Sequence, residues 1–165
     1  MSIQVGQKKI KEMDLIGFWE PVWRGVLIIL TTLQANRLDK KISLQGFIDQ
    51  WSQIVSGLKQ IFYNFQKRDW LGSWLIIVSP QALGTIVRAL GKTRTKIWEF
   101  ESYEVLYREF SSEWSQIVQR ANLILVTAEK INRGELPSKE EREAILPFLD
   151  KLNNILGSFL HAWLK

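Results

Sequence analysis

The chain has 165 residues, 46% of them hydrophobic, with 22 Lys+Arg against 17 Asp+Glu and a net charge of +5. This length favours one domain over residues 1–165, with two lobes as the alternative. The absence of cysteine excludes disulfides, thiolate metal sites and thiol nucleophiles, and the single histidine, His161, has no second histidine with which to hold zinc.

Two helices separated by a proline are predicted at the start of the chain. The lysines near the N-terminus are not followed by a hydrophobic run, so we do not expect a secretory signal there. Proline is favoured at the first position of a helix and disfavoured inside one. The pair Glu20-Pro21 therefore predicts a break between helices over residues 8–19 and 21–38.

The first long amphipathic helix is predicted over residues 44–66. Its apolar residues recur at alternating intervals of three and four, which is typical of helices that pack along a seam. Ser43 stands where a side chain can cap the helix. The apolar positions are Leu44, Phe47, Trp51, Ile54, Leu58, Ile61 and Phe65.

Two shorter helices are predicted over residues 70–78 and 80–90. Residues 70–87 carry no charge and have the length of a borderline membrane span. However, Ser79-Pro80 in the middle of this stretch is a helix-start signal. Two short buried helices that meet at a turn therefore explain it better than one membrane helix, and Gly91 is expected to end the second.

The second long helix is predicted over residues 100–132, and Gly134 is expected to stop it. The same alternating spacing indicates one continuous apolar seam along its length. The seam positions are Tyr103, Tyr107, Phe110, Trp114, Ile117, Ala121, Ile124, Ala128 and Ile131.

The third long helix is predicted over residues 139–164. Ser138 and Glu141 have the spacing of a capping box, and Pro147 predicts a kink or a restart. The complete pattern predicts an all-α helical bundle of about five to seven helices, framed by the three long amphipathic ones. The apolar positions of the last helix are Ile145, Leu149, Leu152, Leu156, Phe159 and Trp163.

The stretch WSQIV occurs twice, at residues 51–55 and 114–118. In each copy, tryptophan and isoleucine lie three residues apart on the apolar seam, valine broadens that face, and serine and glutamine lie on the flank. Outside the helices, the units around the two copies do not align convincingly. We therefore favour one packing requirement met twice over a duplication of the chain.

The sequence contains no motif of an enzyme. A glycine-rich phosphate loop, a nucleophile elbow and a pair of carboxylates at catalytic spacing are all missing. The acidic run at residues 139–144 suits the first turn of a helix, where negative charge complements the helix dipole, better than a cation site. His161 has no visible partner for general-base chemistry, which favours a structural role. We predict no enzyme activity, no metal site and no cofactor.

Charge is distributed unevenly along the chain. Residues 1–96 hold 14 Lys+Arg and 6 Asp+Glu, a balance of +8, whereas residues 97–165 hold 8 and 11, a balance of −3. Clustered cations favour contact with phosphates without base reading, although single clusters also suit solvated helix ends. The predicted nucleic-acid contacts are Arg88, Lys92, Arg94 and Lys96, helped by Arg37, Lys40 and Lys41.

Eight tryptophans are many for a chain of this length. Tryptophan fills helical cores, but it is also enriched in the centres of protein interfaces. Two pairs are spaced by four residues, so each pair lies on one side of its helix and can form an exposed stripe. The predicted protein-interface residues are Trp19, Trp23, Trp70 and Trp74.

In overall type, the heptad helices and the basic clusters at 37–41 and 88–96 resemble the small subunit of CRISPR effector complexes of the Cascade type. The resemblance implies a non-catalytic, cytoplasmic helical subunit that stacks with other subunits or with copies of itself and holds the nucleic-acid backbone during antiviral defence. One alternative is a helical adaptor or oligomeric scaffold that binds only proteins. Another is a peripheral protein that uses its basic face and tryptophans at a lipid surface. Integral membrane insertion is not expected.

Overall fold

All secondary structure in the described part of the chain is helical. The structure is a computed structural model that describes the backbone of residues 2–39, 43–67, 76, 78–92 and 100–164, and side chains in those ranges from 17 to 158 and at 160. These ranges contain no strand, so the prediction of an all-α bundle is confirmed. The elements are α1 (Ser2–Ala35), α2 (Gln45–Lys67), α3 (Pro80–Leu90), α4 (Tyr103–Phe110), a short 3-10 helix (Ser111–Glu113), α5 (Trp114–Asn132) and α6 (Lys139–Leu164).

Helix α1 runs without interruption through Pro21, so the predicted break at Glu20-Pro21 is wrong. Proline removes the hydrogen bond to the carbonyl four residues earlier, which belongs to Gly17. Gly17 is exposed, so water can take that bond. Trp19 and Val22 are buried on either side of the proline, and their packing holds the helix together across it.

The two long heptad helices, α2 and α5, pack against each other in antiparallel directions. Trp51 of α2 donates its indole N–H to the Ala121 carbonyl at 2.8 Å, and Trp114 of α5 donates to the Leu58 carbonyl at 2.9 Å. Both tryptophans are fully buried, as predicted. The other fully buried residues of this seam are Ile54, Leu58, Ile61, Ile117, Ala121, Ile124 and Ala128.

The predicted helix over residues 100–132 is divided into α4 and α5 by the 3-10 helix. Serine side chains compete with the helical backbone, and Ser111 donates its hydroxyl to the Arg108 carbonyl at 3.4 Å. The apolar seam nevertheless continues across the division, since Phe110 and Trp114 on its two sides are both buried. The spacing therefore identified the buried face correctly but not the interruption.

The remaining helices close the bundle. Helix α1 packs against α6 and α2, and α3 packs against α6, α4 and α5. The buried residues of both halves of the chain join one hydrophobic cluster. Tyr103 donates its hydroxyl to the Val78 carbonyl, and burial raises the pKa of Tyr103 to about 12, so it remains a donor at any physiological pH.

The helix ends follow the predicted signals. The Ser79 hydroxyl accepts from the Ala82 N–H at 3.2 Å where α3 begins, and Gly91 follows its last residue. Gly134 has a φ of +85°, and its N–H donates to the Ile131 carbonyl at 3.0 Å, which ends α5. These observations confirm both predicted stops.

Two expectations about the beginnings of helices have different outcomes. Ser138 and Glu141 form the predicted capping box. The Ser138 hydroxyl accepts from the Glu141 N–H at 3.2 Å, and the Ser138 N–H donates to the Glu141 carboxylate at 3.4 Å. Helix α6 then continues through Pro147 without a restart. The predicted helix over 70–78 falls mainly outside the described residues.

Candidate nucleic-acid interface

Arg88 lies in the protein core, so its predicted role as a surface phosphate contact is wrong. Its side chain is only 7% exposed, and its guanidinium donates to the Glu109 carboxylate at 2.8 Å. The guanidinium carbon lies 5.3 Å from the ring centroid of Phe100 and 5.4 Å from that of Phe110. An ion pair and two aromatic faces therefore hold this cation inside the bundle.

Lys92, four residues after Arg88, is exposed, and its backbone N–H donates to the Glu113 carboxylate at 2.8 Å. Arg37 is also exposed, just after the end of α1. Both cations therefore lie at the surface, and their contact with phosphates stays a prediction. The other members of the predicted clusters, Lys40, Lys41, Arg94 and Lys96, lie outside the described residues.

Cations from other helices cap the end of α3. Arg120 of α5 donates to the Leu90 carbonyl, and its guanidinium carbon lies 4.4 Å from the ring centroid of Phe148. Lys151 of α6 donates to the Gly91 carbonyl at 3.3 Å. Positive charge suits the carbonyl end of a helix, so these side chains have a structural role. The sequence did not predict these two hydrogen bonds, because Arg120 lies 30 residues from Leu90 and Lys151 lies 60 residues from Gly91.

The predicted stripes of exposed tryptophans are not observed in α1. Trp19 is 1% exposed, which makes its assignment to a protein interface wrong. Trp23 is half-buried against the core and donates its indole N–H to the Asn153 side chain of α6 at 3.1 Å. Trp70 and Trp74 lie outside the described residues. In α1, therefore, the spacing of four arises because these side chains pack inside the bundle.

A basic and aromatic surface on α2 escaped the sequence prediction. Lys59, Tyr63 and Lys67 are all exposed and are spaced by four residues, so they lie on one face of the helix. The Lys67 ammonium lies 4.5 Å from the ring centroid of Tyr63. A signal was present in the sequence, because residues 50–68 contain no aspartate or glutamate. We call these three residues the α2 stripe.

Most ion pairs between described side chains lie within one half of the chain. Between described side chains, one ion pair lies within α1, between Glu20 and Arg24, and one joins the two halves, between Arg88 and Glu109. The remaining described ion pairs join residues of the acidic half to each other. They are Glu104–Arg108, Lys130–Glu141, Arg133–Glu135 and Lys139–Glu143.

No family model, curated protein or solved structure matches the chain. In the described part of the chain, no group of three or more His, Asp or Glu side chains is placed to hold a metal ion. No helix in that part combines the length and the apolarity needed to cross a membrane.

Proposed function

We propose that the protein is a non-catalytic helical subunit of a nucleoprotein complex that holds nucleic acid by its phosphate backbone. The observation that carries this proposal is the balance of +8 in residues 1–96. Most described acidic partners belong to residues 97–165 and pair with cations of that same half. These described ion pairs therefore do not offset the positive charge of residues 1–96.

The proposed partners are nucleic acid and other protein subunits, including copies of the same chain. An all-helical bundle with a basic half is also what supports the resemblance to the small subunits of CRISPR effector complexes, and we propose that kind of cytoplasmic antiviral assembly for this chain. Opposite charges on the two halves would favour contacts between neighbouring subunits as well as contacts with phosphates.

Binding of this kind should be nearly independent of base sequence. Each cation that neutralises a phosphate releases condensed counterions, and this release favours binding. The release is less favourable at higher salt, so the affinity falls as the salt concentration rises. Base reading would require a helix that presents Arg, Asn or Gln to base edges. The two exposed cluster cations that the structure describes, Arg37 and Lys92, instead lie just beyond the ends of α1 and α3.

The test compares three variants that each lose three cations. One changes Arg37, Lys40 and Lys41 to alanine, and the second changes Lys92, Arg94 and Lys96. The third is a matched control that changes the exposed cations Arg108, Arg133 and Lys139 of the acidic half. Affinity for labelled single-stranded and double-stranded DNA is measured against salt concentration for the purified full-length protein.

Each of the first two variants should lower the slope of log affinity against log salt, by up to about 2 to 3 for three lost phosphate contacts. The control should change the slope little, because its cations are paired with neighbouring carboxylates. Equal slopes in wild type and in both cluster variants would overturn the proposal and favour a scaffold that binds only proteins. Equal effects of all three variants would show a response to net charge alone.

A further inference from the structure

We propose that the α2 stripe, formed by Lys59, Tyr63 and Lys67, binds single-stranded nucleic acid, with one base stacked on Tyr63 and the lysines on phosphates of the same strand. This inference rests on the proposed function and deepens it, since it names a site outside the clusters at 37–41 and 88–96. It also specifies a single strand and a contact with a base.

The exposure of Tyr63 is the first observation. Tyr63 is 49% exposed, although the aromatic residues on either side of it are partly buried in the core. Phe62 and Phe65 pack on Tyr107, with ring centroids 6.2 Å and 3.9 Å apart. The aromatic cluster between α2 and α4 is thus formed by these neighbours, and Tyr63 presents its ring to solvent from a packed helix.

The charge around Tyr63 is the second observation. Lys59 and Lys67 lie one helical turn before and after the tyrosine, and both are exposed. No aspartate or glutamate occurs between Asp49 and Asp69, which leaves the exposed face of this part of α2 without acidic side chains of its own. Exposed aromatic rings flanked by cations are the combination that proteins use to bind single strands.

The Lys67 ammonium has a particular position relative to the ring. It lies 4.5 Å from the ring centroid of Tyr63, in the geometry of a cation–π contact. This contact restricts the tyrosine, so less side-chain freedom is lost when a base stacks on the ring. The ammonium covers one face of the ring, so the base would stack on the other face.

The length of the stripe sets the size of the site. Residues eight positions apart in an α-helix are separated by about 12 Å along its axis. A stacked strand advances by roughly 3.4 Å per nucleotide, so Lys59 and Lys67 would lie on phosphates about three or four nucleotides apart. A duplex does not fit the same role, because its bases are stacked on each other and cannot offer a face to Tyr63.

The experiment separates base stacking from charge. The full-length protein is titrated with a labelled oligothymidylate of about 12 nucleotides and with an abasic strand of equal length and charge. Wild type should bind the strand with bases about 5- to 150-fold more tightly, which corresponds to one stacked base. Tyr63→Phe should keep this preference, and Tyr63→Leu should abolish it while retaining an apolar side chain on the helix.

The lysines are tested by a matched pair of variants. Lys59→Gln with Lys67→Gln should weaken binding of both strands and lower the salt slope by about 1.5, for two contacts with a single strand. Arg133→Gln with Lys139→Gln removes the same charge from exposed residues of the acidic half and should change neither quantity. Thermal unfolding followed by circular dichroism confirms that each variant is folded.

Three results would overturn the inference. Wild type that binds the two strands equally, or Tyr63→Leu that keeps the wild-type preference, would show that no base stacks on this residue. Either result would leave the proposed function standing if the variants at 37–41 and 92–96 still lower the salt slope. Failure to bind both strands at low salt would overturn this inference and the proposed function together.

Discussion

Trp51 and Trp114 make the same hydrogen bond, each to the helix that carries the other. The indole of Trp51 donates to the carbonyl of Ala121, seven residues after Trp114, and the indole of Trp114 donates to the carbonyl of Leu58, seven residues after Trp51. The antiparallel helices thus repeat one contact across a local two-fold relationship. The two copies of WSQIV meet one physical requirement twice, namely a buried indole whose N–H finds a carbonyl in the facing helix.

Because the two contacts are equivalent, Trp51→Phe and Trp114→Phe should lower the free energy of unfolding by similar amounts. Each variant removes the indole hydrogen bond to a buried carbonyl that keeps its bond within its own helix, and each leaves a small cavity, which together should cost about 1–3 kcal/mol. Urea unfolding of the two variants, with an unchanged dependence on urea, measures the effect. A difference between them of more than about 2 kcal/mol would contradict the equivalence.

Trp23→Phe is the matched control for these variants. Trp23 also donates its indole N–H, but it is half-buried, and its acceptor is the partly exposed Asn153 side chain. Water can replace this bond, so the cost should be only about 0.5–1.5 kcal/mol. If Trp23→Phe lowers the free energy of unfolding as much as Trp114→Phe does, the loss of ring volume explains the destabilisation in all three variants, and the hydrogen bond to a buried carbonyl does not.

The apolar spacing could be predicted because it reflects local helical geometry. Every position of the second heptad pattern from Tyr107 to Ile131 is buried. The cap at Ser138 and the stop at Gly134 are local as well, since each depends on neighbours within a few residues. Helical period and capping were therefore sufficient to predict the fold class and most helix boundaries.

The errors arise where distant packing overrides a local preference. Pro21 indicates a break, but buried neighbours such as Trp19 and Val22 keep α1 continuous. In the sequence, Arg88 belongs to a basic cluster, but the carboxylate of Glu109, 21 residues later, binds its guanidinium in the core. Conversely, the apolar spacing of α2 identifies its buried seam and says nothing of the opposite face, where the α2 stripe lies.

Gly25→Ala should destabilise the protein. A Cβ atom at Gly25 would lie 2.4 Å from the Cβ atom of Phe47, which is buried where α1 meets α2. Phe47 cannot move without shifting its helix, so we expect a loss of roughly 1–3 kcal/mol in unfolding free energy. The control is Gly17→Ala in the same helix, where the new Cβ would meet no atom within 4 Å other than those of the adjoining backbone.

At Gly17 the substitution should be neutral or should stabilise the protein by up to about 1 kcal/mol, because alanine favours helix formation. Thermal unfolding of the two variants side by side provides the measurement. Equal effects would mean that α1 and α2 do not approach each other closely at Gly25.

Arg88→Ala should reduce stability and leave nucleic-acid binding unchanged. The variant loses the ion pair with Glu109 and the packing on Phe100 and Phe110, which should cost roughly 1–3 kcal/mol. Lys92→Ala, four residues later and exposed, should change stability by less than about 0.5 kcal/mol and lower the salt slope by up to about 0.9. Urea unfolding and salt titration of both variants test the assignment, which an altered salt slope for folded Arg88→Ala would refute.

The ion pair between Lys130 and Glu141 should make stability depend on pH in the acidic range. The two carboxylate oxygens of Glu141 each accept from the Lys130 ammonium at 2.9 Å, which joins α5 to α6. The hydrogen bond from Lys130 is the main reason why the pKa of Glu141 is lowered from its ordinary value of 4.5. Because the folded state lowers this pKa, the contribution is complete above about pH 4.5 and is lost as the pH falls through the lowered value.

Glu141→Gln should therefore destabilise the protein at neutral pH, and its difference from wild type should shrink as the pH falls below about 4.5. Urea unfolding of both proteins at several pH values from about 7 down to about 3 measures that difference. In a Lys130→Met background the same substitution should show much less dependence on pH, because the ammonium that lowers the pKa is absent. If the dependence is the same in both backgrounds, it originates from other carboxylates and not from the contact between α5 and α6.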